Sequence, residues 1–473
     1  MVGWTGLSKV IGQVATFGTT ILLVRMLDKD DFGLFAMALL YTWVIDNITD
    51  FGFQSAIIQR KDIDEDSLSS CFWFLSVVSL AIVALNQLVA PWIAGIFAEE
   101  RLTGIVRQIS WIFLIIPLTV ISSGILSWRL RLDVIAKAEL GTGLLRCATS
   151  IALALAGMGV LSLLYGYLLE RALLAFVLTY AARWKPRPRF VYQSVKPLIT
   201  FGLNITAGRL LWLGYSKMDT FVVGRFLGVE ILGVYSVASQ IAMAFSQFVS
   251  AAYYRVIFPV LSKSQHSPHF NEILLKSSVY LSIVALPVMV GMAVVAPDIV
   301  LVFLGDKWRD AIPALQVLSI VAATLTLSGL LPQAMNAIGR ADISIWINIT
   351  SLVVFGVGFY FGAQWQGISG ILIVWIVLAP LRYVASVYTA CLVLEMPVTE
   401  YLKQHRGSFM ATVIMLAVVM IAAEITGDWP AESRLFLCVV IGASVFAALS
   451  ILITRQPCLE LLAMLKTPTR DTA

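Results

Sequence analysis

The chain has 473 residues, is 59% hydrophobic and only 13% charged, and has a mean hydropathy of +0.89, whereas an ordinary soluble domain carries about 25% charged residues. This is the composition of a polytopic membrane protein and leaves no room for a sizeable soluble domain. The net charge of +5 follows from the loops and speaks for retention at anionic lipid, not for nucleic-acid binding.

Apolar segments long enough to cross roughly 30 Å of hydrocarbon follow one another with little interruption. The first begins within a few residues of Met1 and lacks the basic start and small-residue cleavage pattern of a signal peptide, so it reads as a spanning helix. In chain order, spans are expected near 5–27, 33–57, 69–90, 107–127, 139–157, 160–181, 198–223, 232–258, 278–303, 312–335, 343–361, 367–392, 408–425 and 433–453, about fourteen helices in an all-α fold. With the N-terminus inside, the inner loops collect Lys9, Arg60, Lys61, Arg129, Arg131, Lys137, Arg183, Lys185, Arg187, Arg189 and Lys196. Arg255, Lys263, Lys276, Arg340, Lys403, Arg406, Arg455, Lys466 and Arg470 join them, so about twenty of the 33 Lys and Arg lie inside. That bias predicts both termini on the cytoplasmic side. Trp4, Trp92, Trp128, Trp308 and Trp365 fall near span ends and are expected in an interfacial belt.

Two stretches 200 positions apart repeat one another: Arg25, Leu27, Gly33, Phe35 and Ala38 match Arg225, Leu227, Gly233, Tyr235 and Ala238, and Lys9 matches Arg209 further back. The proline- and arginine-rich run at 183–189 divides the copies. An even number of spans, about six, separates them, so they enter the membrane in the same direction, as parallel repeats do. The expected organisation is a six-helix lobe at 1–190, a second at 191–400, and two additional helices with a cytoplasmic tail at 401–473.

Ionisable residues inside spans are costly, by about 2.5–3.5 kcal/mol on insertion scales, and normally face a cavity or a partner. Arg209 lies ~24 Å along its helix from Arg225, and Thr206, Arg209, Trp212 and Ser216 recur at helical spacing. A guanidinium there suits a diphosphate; pairing with a carboxylate between helices is the alternative. On the second helix Asp46, Asp50 and Gln54 share a face with Trp43 beside them. They suit sugar hydroxyls or a coupling cation, or they neutralise Arg146 or Arg209. Arg146, in the fifth span, is a cavity candidate whose alternative is burial against Glu139 or Glu170. Glu170 and Arg171 are adjacent, so they point about 100° apart and cannot form a same-face pair. Arg382 completes the in-span charges. Lys9 near the inner entrance attracts an anionic headgroup or simply anchors the helix. Lys217 and Asp219, with the repeat residues Arg25 and Arg225, are candidates for gating or coupling; a solvated end-of-helix pair is the plainer reading of Lys217 and Asp219.

The cysteines, Cys71, Cys147, Cys391, Cys438 and Cys458, show no paired spacing, and only His266 and His269 lie close together. No disulfide framework, metal site or cofactor is indicated. Gly141–Gly143 and Gly356–Gly358 sit in apolar helices and read as packing sites, and no Gly-rich loop ends in Lys-Ser or Lys-Thr, so ATP hydrolysis is not expected.

The stretch from Arg25 to Ala36 followed by Asp50, Gly52, Gln54, Ala56, Gln59 and Arg60 resembles the start of the polysaccharide or O-antigen flippases of the MOP exporter superfamily. Met218, Asp219, Gly224, Arg225, Gly228, Gly233 and Tyr235, then Phe258 and Pro259, are similar to the corresponding second-half motif. Leu126, Trp128, Arg129 and Arg131 resemble the colanic-acid and exopolysaccharide exporter branch. The resemblance covers roughly residues 1–400. It implies export of a polyprenyl-diphosphate-linked oligosaccharide across the bacterial inner membrane for polysaccharide biosynthesis, with no covalent chemistry. The partners expected are that lipid-linked oligosaccharide, membrane lipid, and polysaccharide polymerase and export machinery; the energy source is open between an ion gradient (H+ or Na+ as coupling ion), the membrane potential acting on charge, and consumption of the product outside. Alternating access by rocking lobes suits this cargo. An exporter of drugs or organic cations would share the fold, but it predicts an acidic cavity, whereas the first helix has no acid before Asp28. A membrane-embedded saccharide polymerase or ligase would need a substantial outer loop with convergent catalytic groups, and the outer loops here are about a dozen residues.

Overall fold

The structure, a computed structural model, describes residues 2–59 and 64–453. The basic residues Arg60, Lys61, Arg455, Lys466 and Arg470, and Cys458, lie outside the described residues. All regular structure among those described is helical. In order, the helices are α1 (Val2–Met26), α2 (Lys29–Asp50), α3 (Phe53–Gln59), α4 (Glu65–Phe97), α5 (Leu102–Ile109), α6 (Ile116–Trp128), α7 (Leu132–Leu155), α8 (Val160–Ala182) and α9 (Tyr192–Phe226). They continue as α10 (Val229–Lys263), α11 (Phe270–Val294), α12 (Ala296–Ile299), α13 (Ala311–Ser328), α14 (Leu330–Ala337), α15 (Ala341–Gln366), α16 (Ile368–Val393), α17 (Val398–Ile425) and α18 (Ala431–Ile453).

Among the described residues, 12 helices are long and apolar enough to cross a membrane, not the fourteen expected. The two expected spans not among them are α1 and α9, the opening helices of the two repeats. Exposed Leu88, Val77, Phe361 and Leu452 would be a liability in water; against lipid tails they are matched to their solvent. Trp92, Trp128 and Trp365 are exposed as a belt requires, but Trp308 is fully buried in a short turn and belongs to the core instead.

The chain forms two compact units, Met1–Ser236 with Leu352–Ile368, and Val237–Ser351 with Ser369–Ala473. The first has a core in which Phe53, Ile57, Leu75, Ile121, Leu126 and Leu198 interlock. Within it the repeat makes a reciprocal contact. A Cβ on Gly33 would collide with the carbonyl oxygen of Val229, and one on Gly233 with that of Lys29. Val229 stands 200 positions after Lys29, so each copy's glycine receives the other copy's helix start, the self-complementary contact of a local pseudo-twofold axis. Around that crossing, the Asp31 carboxylate accepts from the Asp28 N–H at 3.1 Å to cap α2, and Lys29 reaches Glu230 at 3.4 Å.

The expected span at 33–57 is broken. Phe51 and Gly52 take φ of +47° and +64°, which ends α2 and redirects the chain into α3. Gly52 meets Gly202 of α9 so closely that a Cβ on either would strike the other's neighbouring backbone. This contact seats the end of α2 on α9. The run at 183–189 divides the copies in sequence, yet it is strapped down. Trp73 Nε1 donates to the Arg187 carbonyl at 2.7 Å, Arg187 N to Ser69 Oγ at 3.0 Å and Val191 N to Ser70 Oγ at 2.9 Å. Arg189 pairs with Asp66 at 2.6 Å, Arg187 pairs with Glu65, and Trp184 is buried beside Phe72.

In the second unit, α11 packs against α13, α17 and α18. A core of Leu274, Leu281, Leu330, Leu331 and Tyr401 adjoins an apolar groove of about 620 Å³ lined by Pro287, Met292, Phe303, Met415, Leu435 and Phe446.

Candidate functional site

The charges that sequence analysis placed inside spans, Arg382 apart, gather where α2 and α3 face α8 and α9. Because α2 ends at the Phe51–Gly52 turn and is pressed onto α9 at Gly202, Asp50 is delivered beside Arg209 with a 2.6 Å ion pair. A second Arg209 nitrogen donates to Ser55 Oγ at 3.0 Å. One turn earlier, Asp46 faces Arg171 of α8 at 3.6 Å. Arg171 donates to the Tyr167 hydroxyl at 3.1 Å. Two guanidiniums stand near the Tyr167 ring, Arg171 and Arg146 at 5.3 and 5.6 Å from its centroid. Arg146 of α7 closes the chain by pairing with Glu170 at 3.0 Å. The adjacent Glu170 and Arg171 therefore do look in different directions, one to α7 and one to α2.

Asp46, Asn47, Asp50, Gln54, Thr119 and Arg171 line a cavity of about 230 Å³ whose remaining wall is Ile112, Ile115, Ile116 and Val120. Paired acids and guanidiniums beside amide and hydroxyl groups can bind an anion or a polyhydroxylated headgroup, an anion competing with the carboxylate that each arginine already holds. The Asp50–Arg209 pair is the tightest of the three and the one that joins the two repeats.

The other candidates fall elsewhere. Thr206 is buried and Trp212 is exposed, so the stripe proposed for α9 does not form one surface. Lys9 is exposed on α1. Arg225 is exposed at the end of α9, its guanidinium 5.8 Å from the Phe226 ring, and Arg25 is exposed at the end of α1. Lys217 and Asp219 are not a solvated pair. Asp219 is 6% exposed and accepts from the Tyr235 hydroxyl at 2.5 Å and from Thr220 N at 2.6 Å, while Lys217 Nζ stands 4.4 Å over the ring of Trp43. Arg382 of α16 donates to Ser351 Oγ at 3.1 Å and Ser328 Oγ at 3.4 Å.

Sequence reasoning missed Tyr167, whose place four residues before Arg171 is the signal that could have found it, and Ser55, which carries none. Nor did it single out the pair of Tyr41 with Asn86 of α4.

Comparison with known proteins gives a consistent picture. The model of a family described as polysaccharide biosynthesis protein matches residues 22–313. The teichuronic acid biosynthesis protein TuaB of Bacillus subtilis (strain 168) is 24% identical over 96% of this chain and 95% of its own. The lipopolysaccharide biosynthesis protein WzxC of Escherichia coli (strain K12) is 24% identical over 78% of this chain and 75% of its own. Among solved structures, the lipid II flippase MurJ in an inward closed conformation has the same fold, with a TM-score of 0.78 at 17% identity over 95% of this chain and 98% of that one.

Proposed function

We propose that this chain, which belongs to the polysaccharide biosynthesis protein family, is a flippase that carries a polyprenyl-diphosphate-linked oligosaccharide across a membrane for polysaccharide assembly. It acts by alternating access of its two repeats and without covalent chemistry. The observation that carries the reading is the in-span charge chain Arg146–Glu170, Arg171–Asp46 and Arg209–Asp50 beside a polar cavity. Half-buried charges at this density on neighbouring helices suit a path for a polar cargo. TuaB and WzxC, whose names tie them to teichuronic acid and lipopolysaccharide biosynthesis, support the polysaccharide side of the reading.

Arg209 is the principal diphosphate contact in this proposal, with Arg146 beside it, and Lys9 draws the headgroup in from the cytoplasmic side. Trp212 stacks on a sugar. Arg209 has N–H donors beyond those that reach Asp50 and Ser55, and a phosphate bound there competes with Asp50 for its charge. Charge balance then calls for H+ or Na+ at Asp50, with Asp46 as its neighbour, and this couples an ion to the cargo. Arg25, Arg225, Lys217 and Asp219 work in gating around this exchange. We place the protein in the bacterial inner membrane with both termini cytoplasmic, on the loop charge bias, where it hands cargo to a polymerase and export machinery. The six-helix lobes at 1–190 and 191–400 are the moving bodies.

Depleting the protein in cells that make a surface polysaccharide tests this. Cytoplasm-facing polyprenyl-diphosphate oligosaccharide should accumulate, and wild type but not Arg209→Ala should relieve it. Unchanged lipid intermediates, with a newly gained sensitivity to cationic dyes, would replace this reading with an organic-cation exporter.

A further inference from the structure

On α17, Leu402, Arg406 and Phe409 are spaced by four and then three residues, so they share one helix face, and all three are exposed. A cation thus stands between two apolar side chains on the outside of a span. The helix has 28 residues, ~42 Å, which matches a bilayer with its headgroups at ~40–45 Å. The loop charge bias puts its start on the cytoplasmic side. Arg406 comes eight residues after Val398, a rise of ~12 Å, and helical side chains tilt toward the N-terminus. Its guanidinium therefore lies close beneath the inner headgroups, and Phe409 lies one turn deeper among acyl chains.

A surface arginine at that depth could simply reach for water. Arg406 instead lines a crevice of about 360 Å³ together with Thr324 of α13, Tyr383 of α16 and the apolar Leu286 of α11, a volume within the ~300–1,000 Å³ of small-ligand sites. Neighbouring groups fix its polar wall. The His405 ring stacks on Tyr401 at 4.6 Å, with Nδ1 2.9 Å from the Tyr401 carbonyl oxygen, and the Tyr383 hydroxyl lies 3.4 Å from that of Tyr401. No carboxylate lines the crevice. The acids at this end of the unit, Glu272, Glu395 and Glu400, line a separate pocket with Lys276. Among the described residues, neither Arg406 nor Lys403, one turn earlier, forms an ion pair.

We propose that this crevice is a site for an anionic phospholipid of the inner leaflet. Its phosphate sits on Arg406 with the hydroxyls of Thr324 and Tyr383, and its acyl chains run along Leu286 and Phe409. Bound there, the lipid ties α17 to α13 and α16 and stabilises the second unit. A free phosphate would satisfy the guanidinium but leave the exposed apolar walls unused. A zwitterionic headgroup would set its own ammonium against Arg406 and Lys403. The site belongs to the second unit, apart from the charge chain of the first, and it does not depend on what the protein carries.

The test uses the full chain in a neutral maltoside detergent and follows its unfolding midpoint as phosphatidylglycerol, phosphatidylcholine or inorganic phosphate is added. Phosphatidylglycerol should raise the wild-type midpoint at concentrations where the other two do little. Arg406→Gln should need about tenfold more phosphatidylglycerol for the same rise, the loss of one charge-assisted hydrogen bond, and Tyr383→Phe about threefold more. Arg406→Lys, which keeps the charge, should fall between wild type and Arg406→Gln. Arg131→Gln removes the same charge from an exposed site on the first unit and should respond as wild type does. Because Arg406 is exposed, its variants should unfold like wild type when no lipid is added. If Arg131→Gln loses as much as Arg406→Gln, the protein responds to net charge and the crevice is not a site. If inorganic phosphate reproduces the effect, the crevice takes a soluble anion and the lipid assignment is wrong. An undiminished response in Arg406→Gln also overturns it, and each of these outcomes leaves the flippase reading standing.

Discussion

Replacing Gly33 and Gly233 by alanine, singly and together, probes the contact on which the repeat turns. In a helix interior, alanine outdoes glycine by ~1 kcal/mol, so propensity alone predicts stabilisation. At these two sites the new Cβ would meet a backbone carbonyl, of Val229 and Lys29 respectively. A carbonyl in a helix start cannot rotate aside as a side chain can. The starts of α2 and α10 must move apart, and overpacking of this kind costs ~1–3 kcal/mol. The clash outweighs propensity, and each single variant should lose about 1–2 kcal/mol. The two collisions are relieved by the same separation, so the second substitution meets space already opened by the first. The double variant should therefore cost about 1 kcal/mol less than the sum of the singles. Gly143→Ala is the control: nothing lies within 4 Å of its Cβ, so it should be neutral or slightly stabilising. Equilibrium unfolding in mixed detergent micelles reads all four variants. If Gly33→Ala is as stable as Gly143→Ala, or the two losses simply add, the reciprocal contact is not what holds the helix starts together.

Other expectations follow from the ion pairs and the strap. Asp50→Asn and Arg209→Gln should each destabilise by about 1–3 kcal/mol, less than a fully buried pair because Arg209 is 37% exposed. The double variant should recover part of that, and a cycle with no coupling energy would contradict the pairing. The Arg101 guanidinium beside Glu99, at 2.8 Å, holds its carboxyl below its ordinary value of 4.5. Depressed in the folded state, Glu99 contributes stability above its unfolded value and loses it as pH falls through the lower, folded one. Unfolding midpoints followed down from pH ~6 should fall more steeply in wild type than in Glu99→Gln; parallel curves would contradict the assignment. Trp73→Phe removes the 2.7 Å bond to the Arg187 carbonyl, a loss of about 1 kcal/mol, and limited proteolysis should then cut near 183–191 faster. An unchanged cleavage rate would show that the strap does not depend on it.

The sequence made some of this plain for physical reasons. Gly33 and Gly233 were legible as a repeat because a backbone-to-backbone contact tolerates no side chain, so both copies carry the same residue. The long helices α4, α8, α11 and α16 were legible because hydrocarbon thickness fixes the length of an apolar run. Partner choice was not legible. Asp46 and Asp50 share one face of α2, yet they reach different helices, Arg171 on α8 and Arg209 on α9. That depends on helix rotation and on the Phe51–Gly52 break, which are set by packing between segments distant in sequence. Lys217 read as an end-of-helix charge for the same reason: only the fold brings Trp43 beneath it. Trp308 looked interfacial from its position near a span end, but the turn around it folds back and buries the ring.

The central claim, that an anionic lipid headgroup crosses along the Arg209 charges, is tested most directly by reconstituting the purified protein in liposomes. The quantity to measure is the rate at which a polyprenyl-diphosphate oligosaccharide moves between leaflets. Protein-dependent movement in wild type that is lost in folded Arg209→Ala is the predicted result. Movement that is equal in the two proteins, or no faster than in protein-free vesicles, would contradict the account.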